Sequence, residues 1–138
     1  MDKVQRIFAL VYGIVFLLIG ILGFVPALVP GGALLGVFMV NGVHSIIHIV
    51  IGILGIASYF TGTSRLYNRV IGIVYLLIGI LGFIPALAPG NMLLGVVMIN
   101  LADNILHLVA GIVPIIVGFG IKSDDPKLAG RSQASSAS

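Results

Sequence analysis

Gly13-Ile14-Val15-Phe16-Leu17-Leu18-Ile19-Gly20-Ile21-Leu22-Gly23-Phe24 returns 59 positions later as Gly72-Ile73-Val74-Tyr75-Leu76-Leu77-Ile78-Gly79-Ile80-Leu81-Gly82-Phe83. The likeness runs without a gap over 12–56 and 71–115. It takes in Pro26/Pro85, Pro30/Pro89, Leu34-Leu35-Gly36-Val37/Leu93-Leu94-Gly95-Val96, Asn41/Asn100, His48/His107 and Gly52/Gly111. Of 45 aligned pairs, 28 are identical, more than a shared apolar composition gives. The pattern is that of one helical hairpin written twice.

The hairpins belong in lipid. The chain is 59% hydrophobic and 8% charged, with mean hydropathy +1.25. A water-soluble chain of 138 residues needs a polar exterior that seven Lys+Arg and four Asp+Glu cannot supply. Four apolar stretches, near 4–25, 33–58, 66–84 and 92–120, approach or exceed the ~20 residues that carry a helix across ~30 Å of hydrocarbon. Backbone without water must close its own hydrogen bonds, so each stretch reads as helix. The predicted fold is all-α: a polytopic membrane four-helix bundle of two tandem parallel helical-hairpin repeats, about 4–58 and 64–120. These make a transmembrane domain at 1–121. The polar, low-complexity segment at 122–138 reads as a disordered cytoplasmic tail.

Lys3 and Arg6 precede the first apolar run, and Val25-Pro26-Ala27 loosely resembles a signal-peptide cleavage site. The same run and the same Pro-Ala-Leu recur at 85–87, where no such processing acts, so 1–25 reads as a retained helix. The basic residues fall in three places: Lys3 and Arg6, then Arg65 and Arg69, then Lys122, Lys127 and Arg131. Both hairpin loops, 26–32 and 85–91, are uncharged. Four crossings put the termini and the central linker on one side, and the positive-inside rule makes that side cytoplasmic. Two crossings per repeat give both hairpins the same orientation, which predicts a pseudo-twofold axis along the membrane normal. A net charge of +3 suits anionic lipid headgroups; seven scattered charges do not suit nucleic acid. There is no cysteine, hence no disulfide and no thiolate ligand.

Gly13, Gly20, Gly23 and Gly72, Gly79, Gly82 predict closely packed helices. Phe-Val-Pro and Phe-Ile-Pro predict helix ends, and Pro114 predicts a kink in the fourth helix, where the second has Gly55. Tyr59, Tyr67 and Tyr75, with Phe24, Phe60 and Phe83, read as an interfacial aromatic belt.

Chemistry, if present, sits on the second and fourth helices. Asn41, His44, Ser45 and His48 lie at offsets 0, 3, 4 and 7, and Asn100, Asp103, Asn104 and His107 repeat the spacing, so each quartet forms one helical stripe. Counted from helix starts near 33 and 92, His44 and Asp103 fall near mid-bilayer, about 16 Å in at ~1.5 Å per residue. A carboxylate there faces the bundle interior with a partner, and the expected partner of Asp103 is His44 or His48. Three readings compete: a hydrogen-bond network that sets helix register, a proton or ion path, and a bound divalent metal, haem or pigment. For a metal, the candidates are His44, His48, Asp103 and His107, the first two being an i, i+4 ligand pair. No HExxH motif, phosphate-cradling loop or Ser/His/Asp set supports catalysis, so the chain does not read as an enzyme.

Asn41-Gly42-Val43-His44-Ser45-Ile46-Ile47-His48 followed by Gly52 and Gly55 resembles the Asn-x-x-His-Asn-x-x-His-x-x-x-Gly signature of a bacterial membrane family, domain of unknown function 4383. Residues 13–26 are similar to that family's first-helix pattern, and the resemblance covers about 8–118. The second half departs from it at Asp103, while Asn104 and His107 keep it. The resemblance implies a four-helix protein of the bacterial inner membrane and assigns no activity. The leading functional expectation is therefore a non-enzymatic accessory or scaffold subunit of a larger membrane complex, or a homo-oligomer, motivated by Gly-rich helix faces and minimal loops. The rival is a cofactor-, metal- or proton-handling protein built on the intramembrane His/Asp/Asn cluster.

Overall fold

The computed structural model describes residues 2–121; the tail expected at 122–138 lies outside the described residues. Four helices dominate: α1 (Lys3–Leu22), α2 (Gly42–Thr61), α3 (Ser64–Gly82) and α4 (Leu101–Ile115), which continues as a π turn over Ile116–Gly120. All four, with α4 counted through Gly120, are long and apolar enough to cross a membrane. The strands of the described residues are two-residue pairs. Large aliphatic side chains cover the outward faces of the helices, a surface suited to lipid.

α1 lies along α2, and α3 along α4, while contact between these two hairpins is sparser. Glycine makes the close pairs possible. A Cβ at Gly13 would fall 2.7 Å from the Gly52 carbonyl oxygen, and one at Gly72 would fall 2.9 Å from that of Gly111. At those separations only glycine lets the two backbones meet, and dispersion then holds them. The glycine faces of α1 and α3 are thus occupied inside the hairpins. They therefore no longer count as a motive for a scaffold role.

The second and fourth helices start later than expected, at Gly42 and Leu101 rather than near 33 and 92. The intervening apolar residues fold as loop. Tight turns at Pro26–Leu28 and Pro30–Gly32 lead into β1 (Ala33–Leu34), which pairs antiparallel with β2 (Phe38–Met39). Turns at Pro85–Leu87 and Pro89–Asn91, then β3 (Met92–Leu93) and β4 (Val97–Met98), make the same path in the second half. At each hairpin tip a Leu-Gly pair takes left-handed backbone: Leu35 and Gly36 have φ 53° and 73°, Leu94 and Gly95 have φ 53° and 74°. A leucine resists that conformation. Each is held by its N–H, which donates to the carbonyl of Leu28 or Leu87 at 2.7 Å.

The starts of α1 and α3 and the ends of α2 and α4 share one end of the bundle, tied by arginines. Arg6 Nε donates to the Tyr59 carbonyl at 3.1 Å, Arg69 Nε to that of Gly118 at 2.7 Å, and Arg65 Nη1 to those of Gly118 and Ile121 at 3.1 and 2.9 Å. Arg65 also pairs with Asp2 at 2.7 Å. Cations placed on the last carbonyls of a helix satisfy groups that have no intrahelical donor.

The core consists of Phe16, Ile51, Ile71, Tyr75 and Ala110, flanked by Tyr12 and Tyr67. Tyr75 is therefore a core residue and not part of an interfacial belt. Its ring lies midway along α3, facing inward. Pro114 has no N–H to give the Ala110 carbonyl; the Tyr12 hydroxyl donates to that oxygen instead, at 2.8 Å. Two residues on, the helix widens into the π turn. There Gln5 Nε2 donates to the Val117 carbonyl at 2.6 Å, and Asn68 Nδ2 donates to Gln5 Oε1 at 2.8 Å. Gln5 and Asn68 form a second buried polar group, which the sequence reading did not single out.

Candidate metal centre

The centre is built from the two helix starts at the loop end. Asn41 caps α2 by accepting from the His44 N–H, and Asn100 caps α4 by accepting from the Asp103 N–H, both at 2.9 Å. Each asparagine also reaches into the opposite hairpin. Asn41 Nδ2 donates to the Val96 carbonyl at 2.9 Å, and Asn100 Nδ2 to the Val37 carbonyl at 2.8 Å. These reciprocal bonds fix each loop on the other hairpin's helix. From such caps, helical periodicity turns His44, Ser45 and His48, and likewise Asp103, Asn104 and His107, toward the interior; all six are buried.

Three imidazoles meet there. The ring centroids of His44 and His48 are 4.5 Å apart, those of His44 and His107 5.5 Å, and those of His48 and His107 6.2 Å. One ring nitrogen from each lies within 4.8 Å of the others. Phe16 stands edge-on to His48 at 5.2 Å, and the Tyr75 ring is 5.2 Å from His107 and 6.4 Å from His48. His44 Nδ1 lies 2.8 Å from the Met98 carbonyl. A carbonyl only accepts, so Nδ1 carries the proton and Nε2 presents a lone pair. That Nε2, and both ring nitrogens of His48 and of His107, are buried without a partner among the described residues; so is the Tyr75 hydroxyl.

Asp103 is not one of this set. Its Oδ2 accepts from the Asn100 N–H at 3.0 Å, completing a capping box on α4, and the Met39 backbone lies beside the same carboxylate. The expected hydrogen bond to His44 or His48 is absent, because a short side chain at the third position of a helix reaches its own cap first. The expected depth also changes. His44 and Asp103 are the third residues of α2 and α4, in the first turn and not two turns further along the helix. His48 and His107 stand one turn deeper, ~9 Å from the helix start at ~1.5 Å per residue. Residues counted as two helical turns are loop.

Ser45 and Asn104 serve helix packing. Ser45 lies against Gly23, and Asn104 Nδ2 donates to the Gly82 carbonyl at 3.0 Å. Tyr75, read from the sequence as part of an aromatic belt, instead borders the centre; its counterpart in the first hairpin, Phe16, lacks a hydroxyl. The centre thus offers three borderline nitrogen donors, with no carboxylate or thiolate among them, a set suited to transition metals.

Comparison with known proteins adds a family. No curated protein and no solved structure matches the chain. The sequence model of DUF4383, described as a domain of unknown function, matches residues 6–120, and the chain therefore belongs to that family.

Proposed function

We propose that this is a small multi-pass membrane protein whose working part is the three-histidine centre, which holds a metal or a metal-bearing cofactor. One observation carries the reading: five imidazole nitrogens are buried in one place without partners among the described residues. Each buried polar atom left unsatisfied costs about 1–3 kcal/mol, and here two reciprocal asparagine ties hold the arrangement together. The test is metal analysis and an absorption spectrum of protein purified from its native membrane. Bound metal or a visible chromophore is expected; a colourless, metal-free sample that also takes up no added metal refutes the reading.

In the same proposal the two hairpins are tandem copies, the arginine-rich end faces the cytoplasm of a bacterium, and the loops face outward. The positive-inside rule supports the orientation.

The accessory-subunit reading retains one support. An apolar groove of about 290 Å³ runs between α1 and α4, lined by Val11, Val15, Ile19, Leu106, Val109 and Val113 among others. A helix of a neighbouring subunit suits it. Since the chain has no cysteine, Val11→Cys and Val109→Cys give clean cross-linking probes in membranes, and failure to cross-link to any protein removes this second reading.

A further inference from the structure

We infer that the centre takes one bare first-row divalent ion, held by His44 Nε2 and by one ring nitrogen each of His48 and His107, and that this ion clips the two hairpins together at their loop end. The inference rests on the reading of the cluster as a ligand-holding centre and narrows it from any metal-bearing group to an ion alone.

Geometry favours an ion over a macrocycle. A tetrahedral Zn²⁺ with ligand bonds of ~2.0–2.1 Å needs its donors roughly 3.4 Å apart. The three nitrogens already stand within 4.8 Å of one another, so small side-chain rotations close the set. A haem held between two imidazoles needs a flat space between them. Here the three rings are mutually 4.5–6.2 Å apart, and the third ring occupies the space the macrocycle would need.

His44 is already prepared as a ligand. Metal-bound imidazoles commonly donate their other N–H to a carbonyl, which fixes the tautomer and the ring orientation; His44 Nδ1 makes that bond to Met98 at 2.8 Å. The donor set is also split between elements: α2 supplies His44 and His48, α4 supplies His107, and the orienting carbonyl of Met98 lies in β4 of the second hairpin. An ion there joins two hairpins that otherwise touch sparsely. The Tyr75 hydroxyl is also buried without a partner among the described residues, on a ring whose centroid is 5.2 Å from that of His107.

The test uses the full chain in nanodiscs after treatment with a chelator, titrated with Co²⁺ as the visible probe and then with Zn²⁺. One Co²⁺ per chain should bind with a tetrahedral-type band, Zn²⁺ should displace it, and Zn²⁺ should raise Tm. His44→Ala, His48→Ala and His107→Ala should each weaken binding by at least ~100-fold and abolish the Zn²⁺-dependent rise in Tm. Asp103→Asn, outside the donor set, should bind Co²⁺ as the wild type does, which separates ligand loss from misfolding. Binding unaffected by His107→Ala overturns the inference. Native protein that carries a haem or pigment and takes no Co²⁺ overturns it while leaving the broader reading in place; native protein with no ligand that also takes no Co²⁺ overturns both.

Discussion

His44 and Asp103 occupy the same place in the two hairpins, third in a helix behind an asparagine cap, and their side chains take different partners. The carboxylate folds back on the Asn100 N–H and closes a capping box within α4. The imidazole of His44 leaves its own cap and reaches the Met98 carbonyl of the other hairpin. The acid at this position closes its own cap beside the Met39 backbone of the other hairpin, whereas the base reaches the Met98 carbonyl and presents a lone pair to the centre. The two hairpins share an asparagine-capped frame, and the residue third in the helix is what differs at this place.

The largest expected effect tests whether the two frames are equal. Gly52→Val and Gly111→Val each drive a branched side chain into the facing helix, at Leu17 and Leu76. Overpacking of this kind costs about 1–3 kcal/mol and occasionally more, and contact with backbone puts both sites at the upper end, so thermal unfolding in detergent should show a comparable large loss for both. A large loss for one alone would break the comparison. Next, His44→Asp replaces the ligand by a second capping residue. Co²⁺ affinity should fall at least ~100-fold, while Tm measured without metal should hold or rise slightly; a metal-free Tm that collapses would show that His44 has a packing role instead.

Tyr12 and Tyr67 give a finer contrast. Tyr12 donates to Ala110, whose carbonyl has lost its helical partner to Pro114. Tyr67 donates to the Ile51 carbonyl at 2.8 Å, but Gly55 still supplies that oxygen with an N–H. Tyr12→Phe therefore leaves a buried acceptor unpaired and should cost about 1–3 kcal/mol, against about 0.5–1.5 for Tyr67→Phe; equal losses would remove the proline argument. Smallest of all, Asp103→Asn weakens the α4 box and should cost about 0.5–1 kcal/mol of stability without moving the metal affinity.

The helices were legible because lipid demands long apolar runs, and each of the four expected runs overlaps one. Their starts were less so. Residues 33–40 and 92–99 are nearly as apolar as helix, and hydropathy alone cannot separate a greasy turn from a greasy helix. The contrary signals were local: Gly36 and Gly95 at the tips, and Asn41 and Asn100 as caps. Misplacing those starts carried the histidines to mid-membrane and suggested an Asp103–histidine pair that the capping box prevents. The stripe of His44, His48 and His107 was readable from helical spacing. The part played by Tyr75, and the Met98 carbonyl that orients His44, were not readable, because both depend on how the second hairpin crosses the first.

The most direct measurement of the three-imidazole centre is ¹⁵N NMR of the histidine side chains in bilayer-embedded protein, before and after addition of Zn²⁺. The account predicts that His44 Nδ1 keeps its proton throughout, and that His44 Nε2 and one nitrogen each of His48 and His107 move together to metal-bound shifts at one equivalent. Three rings that respond separately, or not at all, would contradict it.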